Sequence, residues 1–204
     1  MRLPLAASLA PFVVVACGLS IAFLACGEAD EGDVAVGEAD LPPAAEVTPV
    51  PDDATVDSAR ANMVDTRGVG IGAVILTAEG EDVVLRGALI ALPPGEHGFH
   101  IHEKGSCEPP AFESAGDHIG AGETAHGFDA PDGPHAGDLR NITVAEDSTA
   151  TVDQAAGSVT LRGGSAELLD DDGSAVVIHA GPDDYVTQPS GASGDRIACG
   201  VIEG

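Results

Sequence analysis

Short runs rich in valine and isoleucine recur along the chain after residue 57, separated by glycine, proline, aspartate and serine. No part of this region repeats apolar residues with the 3.6-residue period of an amphipathic helix. The pattern predicts an all-β fold, an antiparallel sandwich or barrel. The predicted strands cover residues 69–76, 82–92, 97–102, 141–144, 158–161, 175–180 and 196–202.

Two long segments break this rhythm of short strands. Residues 103–139 and 181–196 are rich in glycine and proline and poor in residues that favour strands. Loops of this length inside a compact domain are usually functional or disordered. We therefore expect the chemistry of the protein to lie in these two long functional loops.

The first 26 residues form an apolar run that carries a single arginine near its start and is typical of an export signal. The run ends at Cys26, and the sequence Ala-Cys-Gly around this residue resembles the lipobox of bacterial lipoproteins. We predict lipidation at Cys26, with Cys17 as an alternative site and an uncleaved membrane anchor as an alternative arrangement. Each of these alternatives predicts an exported protein of the periplasm or cell envelope.

Residues 27–57 contain ten acidic residues and neither lysine nor arginine. They show no apolar periodicity, so this stretch cannot bury enough surface to offset the entropy lost on ordering. We interpret it as an acidic, disordered tether. Residues 58–204 then form one domain, which is long enough to enclose a single core.

The charge of the chain is strongly negative, with 34 acidic residues against eight basic ones. The predicted domain alone has 24 acidic and seven basic residues, so the acidity is not confined to the tether. Such a surface repels phosphate backbones and anionic headgroups. We expect no nucleic-acid partner, and contact with a membrane only through an N-terminal lipid anchor.

All seven histidines lie between residues 97 and 179. His100 and His102 are two positions apart on a predicted strand, so their side chains point to the same side. Four others follow in or beside the long loops, and Asp138 lies among them. Imidazole nitrogens suit copper and zinc, and three imidazoles with one carboxylate suit tetrahedral zinc. The cluster predicts metal binding.

Two cysteines lie outside the signal region, Cys107 in the first long loop and Cys199 in the last predicted strand. A disulfide is the natural interpretation of an isolated pair in an exported domain. Two free thiols, or a pair that binds metal, are the alternatives.

Several segments together resemble the bacterial copper-zinc superoxide dismutases, and the resemblance covers residues 59–202. The resemblance implies a Greek-key antiparallel β-sandwich or barrel of immunoglobulin-like architecture. It also implies an oxidoreductase that converts superoxide into oxygen and hydrogen peroxide by copper redox cycling, with a structural zinc. A carrier of copper or zinc with the same fold, without catalysis, is the alternative. The matching segments are residues 98–109, 114–118, 126–142, 176–185 and 189–202.

The resemblance assigns a role to each of the clustered residues. The copper ligands it implies are His100, His102, His118 and His179. The zinc ligands it implies are His118, His126, His135 and Asp138. His118 would therefore bridge the two metals and, with Arg196 beside the copper, would act in catalysis. Asp183 would link a histidine of each site, and Cys107 and Cys199 would form the disulfide of the family.

Two features depart from the family pattern. Ile119 and Gly120 follow His118 where the family usually has Phe-Asn-Pro. This difference is expected to alter the packing and rigidity of the zinc loop. The second feature is the negative charge of the domain. It matters because the substrate of the family, superoxide, is itself an anion. Positive fields raise association rates by about 10- to 1,000-fold, a range drawn partly from this enzyme family itself. We predict that Lys104 and Arg196, together with the metals, form a local positive spot in a negative field. Catalysis should then be slower than the family norm at low salt and should improve as salt is added. No motif indicates an oligomeric state.

Overall fold

The structure is a computed structural model that describes residues 57–204. The predicted signal, Cys26 and all of the predicted tether except its last residue lie outside this range. Within residues 57–204, nine strands and one 3-10 turn, Glu113–Ala115, make up the regular structure. The strands are β1 Ser58–Asp65, β2 Gly70–Glu79, β3 Asp82–Leu89, β4 Gly95–His97, β5 Phe99–His102, β6 Ile142–Val144, β7 Ala150–Ala156, β8 Ala175–His179 and β9 Arg196–Glu203. In residues 57–204, no helix is long and apolar enough to cross a membrane.

The strands form an antiparallel barrel with Greek-key connections. One sheet has the order β5-β8-β9-β1-β2-β3-β7, and β4 pairs with β6, which lies beside β7. Only Gly98 separates β4 from β5, so this stretch of chain pairs with β6 on one side and β8 on the other and closes the barrel. Because β3 pairs with β7 and not with β4, the chain crosses one end of the barrel as Greek keys do. The predicted fold class is confirmed.

Alternation of buried and exposed side chains fixes the register of the outer strands. Ala59, Ala61 and Met63 of β1 point inward, and the residues between them are exposed. In β2 the alternation breaks at Ile71, where a bulge shifts the register against β1. A bulge places one extra residue on one strand and bends it, which suits a closed barrel.

The sequence prediction found most strands but not all. Residues 158–161 form no strand, and Thr160 makes only an isolated bridge to Glu167, so that prediction is wrong. The prediction also missed β1 and β7, whose inward positions are mostly alanine and whose sequences lack runs of branched residues. The single methyl group of an alanine side chain buries little area, which is why the apolar pattern of these strands is weak.

Strands β5 and β8 are buried on both faces. Their inner faces, which include Phe99, Ile101 and Ile178, belong to the barrel core. On the outer face, Val177 of β8 belongs to a second, smaller cluster with Phe112 and Cys199. The first long loop covers this outer face, and it is the covered face that carries His100 and His102.

Candidate metal centre

Four buried histidines converge on the outer face of the barrel. His100 and His102 come from β5 and His179 from the end of β8, so the pairing of these strands sets the positions of three rings. His118 reaches the same place from the first long loop. Each residue offers one nitrogen, and the four nitrogens lie within 4.8 Å of one another. We call His100, His102, His118 and His179 the strand quartet.

A second group of four residues lies next to it. We call His118, His126, His135 and Asp138 the loop quartet, because all four belong to the first long loop. Their potential ligand atoms also lie within 4.8 Å of one another, and all four residues are buried. The structure thus brings together every histidine and carboxylate that the sequence analysis assigned to the two metals, and His118 belongs to both quartets.

The hydrogen bonds of the strand quartet leave one nitrogen free on each ring. His100 donates from Nε2 to Asp183 Oδ2 at 2.8 Å, His102 from Nδ1 to the Gly116 carbonyl at 2.9 Å, and His179 from Nδ1 to the Gly194 carbonyl at 3.0 Å. These bonds fix the tautomer of each ring. Among residues 57–204, the buried side-chain nitrogens of the strand quartet without a hydrogen-bond partner are His100 Nδ1, His102 Nε2, His118 Nε2 and His179 Nε2, and His135 Nδ1 of the loop quartet is a fifth.

Four buried acceptor nitrogens without a partner are costly unless they bind something. Neutral imidazoles with free lone pairs are the form of histidine that binds copper and zinc. The strand quartet therefore fits a metal ion with an all-imidazole shell, and copper is well suited to such ligands.

The loop quartet converges on one carboxylate oxygen. Asp138 Oδ1 lies 2.8 Å from His118 Nδ1, 3.0 Å from His126 Nδ1 and 3.5 Å from His135 Nδ1. Two ligand atoms that each lie 2.0 Å from a tetrahedral zinc are about 3.3 Å apart. The three distances from Asp138 Oδ1 are close to that value, and three imidazoles with one carboxylate are a ligand set that suits tetrahedral zinc.

Asp138 is held by the backbone around it. The N–H groups of Gly127 and His135 both donate to Oδ2, at 2.8 and 3.0 Å, which leaves Oδ1 to face the three rings. Burial alone would raise the pKa of Asp138, but the hydrogen bonds from His118, His126 and Gly127 hold it well below its usual range. Its carboxylate is therefore charged, as a metal ligand must be.

Backbone hydrogen bonds to β5 position His118, the residue that belongs to both quartets. Ile119 N–H donates to the Ile101 carbonyl at 3.0 Å, Gly137 N–H to the Ile119 carbonyl at 2.9 Å, and Ile101 N–H to the Gly137 carbonyl at 2.8 Å. The side chain of Ile119 is buried in the barrel core. Ile119, which departs from the family pattern after His118, is thus packed in the core and hydrogen-bonded to β5.

Asp183 joins the two quartets a second time. Its Oδ2 accepts from His100 Nε2 at 2.8 Å, and its Oδ1 accepts from His126 Nε2 at 3.0 Å. Each ring therefore presents its other nitrogen, Nδ1, to its own quartet. Gly191 packs directly against the Asp183 carboxylate, and a Cβ at this position would overlap Oδ1. This close approach, together with a φ of +66°, requires glycine there.

Asn141 is a functional residue that the sequence analysis missed. Its side chain donates to the carbonyl of Asp183 and accepts from the N–H of Asp183, both at 2.9 Å. The Asn141 N–H donates to the Tyr185 hydroxyl at 2.9 Å. These three bonds clamp the second long loop to the segment that follows Asp138. The sequence offered one signal for this role, because Asn141 lies three residues after the predicted zinc ligand Asp138.

Burial sets the protonation of three rings of the strand quartet, those of His100, His102 and His179. Burial lowers the pKa of His100 to about 4 and that of His179 to about 3, and it lowers the pKa of His102 well below its usual value. These rings are neutral near pH 7. In the loop quartet, burial alone would lower the pKa of His126, but Asp138 and Asp183 raise it to about 9.

Arg196, at the start of β9, lies beside the strand quartet. Its guanidinium donates to the carbonyls of Phe112 and Gly116, both at 2.7 Å. The Gly116 carbonyl also accepts from His102, so one backbone group positions both side chains. A disulfide between Cys107 and Cys199, with their Cα atoms 5.7 Å apart, ties the loop that carries these carbonyls to β9.

A cavity of about 560 Å³ opens above the strand quartet. His102, His118, His179 and Arg196 line it, together with small residues such as Ala121 and Gly122. Lys104, which we expected near Arg196, is exposed instead, pairs with Glu103 at 3.6 Å and is not among the lining residues of this cavity. Arg196 alone supplies a positive side chain to this lining.

Comparisons with known proteins agree with this geometry. The sequence profile of the family described as copper/zinc superoxide dismutase (SODC) matches residues 71–202. A copper-zinc superoxide dismutase of Caulobacter vibrioides is 48% identical over 139 residues, which are 67% of this chain and 80% of that protein.

Two solved structures are similar as well. A double mutant of a SOD-like protein from Bacillus subtilis is 42% identical with a TM-score of 0.68, and the match covers 71% of this chain and 97% of that chain. The copper/zinc superoxide dismutase from Brucella abortus is 27% identical with a TM-score of 0.59, over 72% of this chain and 100% of that chain.

Proposed function

The chain belongs to the copper/zinc superoxide dismutase family, and from that premise we propose how its own residues divide the work. It is an oxidoreductase that converts superoxide into oxygen and hydrogen peroxide and uses copper and zinc. We assign copper to the strand quartet and zinc to the loop quartet. The observation that carries this assignment is the sharing of His118 between two buried quartets of different ligand type.

Copper, when bound, supplies the redox couple that accepts an electron from one superoxide and returns it to another. His118 turns Nδ1 to the loop quartet and Nε2 to the strand quartet. Nε2 is therefore the ring atom that can hold a proton whenever it is not a ligand. Zinc is not redox-active, and a loop quartet that holds it keeps the His118 ring in one orientation.

Arg196 binds the anionic substrate. Two of its N–H groups are fixed by the carbonyls of Phe112 and Gly116, so the guanidinium cannot swing away from the cavity. A guanidinium has five N–H donors, and those not used by the carbonyls are available to a small anion. Arg196 thus orients superoxide next to the strand quartet, where the chemistry takes place.

The N-terminal residues give this domain its location. The disulfide fits an exported protein, because such bonds persist in oxidising compartments. We assign residues 1–26 to a lipoprotein signal, Cys26 to the lipidated residue and residues 27–57 to a tether that holds the domain of residues 58–204 in the periplasm or cell envelope. Metabolic labelling with a fatty acid tests this, with label retained in Cys17→Ser and lost in Cys26→Ser. Label that survives Cys26→Ser contradicts it.

The assignment of the metals is tested with three alanine variants of the full chain. The wild-type protein, expressed with copper and zinc, should contain about one of each metal. His102→Ala should lose copper and keep zinc, since His102 belongs only to the strand quartet. His135→Ala should lose zinc and keep copper. His118→Ala should weaken both sites and abolish superoxide consumption.

Metal content is measured by elemental analysis and activity by direct observation of superoxide decay. The two single-quartet variants are matched controls for His118→Ala, because each removes one buried imidazole. Loss of the same metal in His102→Ala and His135→Ala would contradict the assignment. A wild-type chain that binds both metals without activity would point to a metal carrier.

A further inference from the structure

The cavity above the strand quartet contains one acidic side chain, Asp117. Among the described residues that line this cavity, Asp117 supplies the one carboxylate and Arg196 the one guanidinium. The backbone carbonyl of Asp117 accepts a hydrogen bond from Glu103 N–H at 2.9 Å, which fixes the segment just before His118. A carboxylate carried by a positioned segment of backbone therefore shares the cavity with the guanidinium to which we assign binding of the substrate anion.

The Asp117 carboxylate is not committed to any partner. Asp117 is exposed, and within residues 57–204 its side chain forms neither a hydrogen bond nor an ion pair. Burial lowers the pKa of the Arg196 guanidinium, and the charges of Asp117 and Glu113 oppose that shift, so both carboxylates act on Arg196. The charge of Asp117 is thus free to act on whatever else approaches Arg196.

Glu113 provides a comparison within the same protein. It also acts on Arg196, but it lines a neighbouring cavity of about 580 Å³ together with Thr66 and Pro110. Arg196 lines both cavities, and Glu113 is not among the residues that line the one above the strand quartet. The two carboxylates therefore influence the same guanidinium from different sides, and only Asp117 faces the path of an anion towards the strand quartet.

We propose that Asp117 is a specificity-determining residue, which weakens the capture of anions at Arg196 and discriminates against anions with more than one charge. This inference rests on the proposed role of Arg196 in binding superoxide. Coulomb energy is proportional to the charge of the ligand, so Asp117 repels a dianion such as hydrogen phosphate twice as strongly as a monoanion. The cavity consequently admits superoxide at some loss of rate but excludes multivalent anions more effectively.

Asp117→Asn removes the charge and keeps the shape of the side chain. At low salt the variant should gain roughly threefold in kcat/KM for superoxide and roughly threefold in affinity for azide, a monoanion. Inhibition by phosphate should strengthen by roughly tenfold, because the effect on the dianion is squared. These gains should shrink between about 0.01 M and 0.2 M ionic strength, as the Debye length falls from about 30 Å to below 10 Å.

Glu113→Gln is the matched control, since it removes the same charge from the other side of Arg196. Its kcat/KM, azide affinity and phosphate inhibition should stay near the wild-type values. Azide binding is followed by the absorption change of the copper-loaded full chain, which needs no turnover. Phosphate is measured by its competition with azide as well as by inhibition.

The outcomes separate this inference from the proposed function. Equal azide and phosphate affinities in wild type and Asp117→Asn would overturn the role of Asp117, even if wild type is fully active. Equal gains in Asp117→Asn and Glu113→Gln would also overturn it, because they would indicate an effect of net charge. A wild-type chain that binds copper but lacks dismutase activity would contradict the proposed function, while the azide and phosphate measurements would still decide the role of Asp117.

Discussion

The two quartets of the metal centre are built from different parts of the chain. In the strand quartet, β5 and β8 supply three of four rings, and the ladder between these strands sets their spacing. In the loop quartet, all four residues lie in a long loop that has no strand of its own. The first site is therefore a product of the barrel, whereas the second depends on bonds that hold the loop in place.

Among the described residues, the ties that hold the loop quartet against the barrel include three of different kinds. The backbone of Ile119 and Gly137 bonds to Ile101, Asp183 joins His126 to His100, and the disulfide anchors the start of the loop to β9. Loosening any tie should weaken the zinc site more than the copper site. The comparison thus predicts that the zinc affinity is more sensitive than the copper affinity to the loss of each tie. Variants that remove one tie at a time can test this.

Removal of the disulfide should have the largest effect. The double variant Cys107→Ser, Cys199→Ser opens a link between residues 92 apart in sequence. The chain-entropy model gives a loss of about 4 to 5 kcal/mol in the free energy of unfolding for a loop of this size. Zinc affinity should fall more than copper affinity, because the first long loop loses its anchor. Denaturant unfolding and chelator competition measure the two effects.

As a control, the free energy of unfolding of the metal-free wild-type protein is compared with that of the metal-free double variant. This comparison gives the effect of the disulfide on stability apart from its effect on metal binding. A variant that loses copper affinity as much as zinc affinity would contradict the distinction between the two quartets.

The sequence predicted the strand quartet more completely than the bonds that support the centre. Strands with valine and isoleucine were recognisable, and the spacing of His100 and His102 placed both rings on one face. The role of Asn141 was not recognisable, because its side chain binds the backbone of Asp183, which is 42 positions away. The role of Gly116 was not recognisable either, because it acts through its backbone carbonyl on His102 and Arg196. Such contacts depend on how loops fold back, which local residue patterns do not specify.

Asp183→Asn should have the next largest effect. The amide keeps the size of the carboxylate but cannot accept from both His100 and His126 as Asp183 does. Loss of such a partner typically costs 10- to 100-fold in metal affinity. We expect a larger loss for zinc, since His126 lies in the loop while His100 is also held by β5. Competition with a chelator for each metal checks this, and a larger loss for copper would contradict it.

Asn141→Ala should have the smallest effect of the three. It removes two hydrogen bonds to the backbone of Asp183, each worth about 1 kcal/mol. Zinc affinity should fall by up to roughly tenfold because Asp183 is then less firmly positioned.

Gln154→Ala is its matched control, because Gln154 makes an equivalent pair of bonds to the backbone of Arg140 without contact to Asp183. The control should lose stability without loss of zinc affinity. Equal zinc affinities in the two variants would show that Asn141 does not position the centre.

The sharing of His118 between the quartets is the central claim, and electron paramagnetic resonance tests it most directly. The full chain is loaded with Cu(II) and with Co(II) in place of zinc. Unpaired electrons on two ions that share one imidazolate couple magnetically, so the Cu(II) signal should disappear when Co(II) fills the loop quartet and remain when zinc fills it. A Cu(II) signal of full intensity beside a full complement of Co(II) would contradict a bridge through His118.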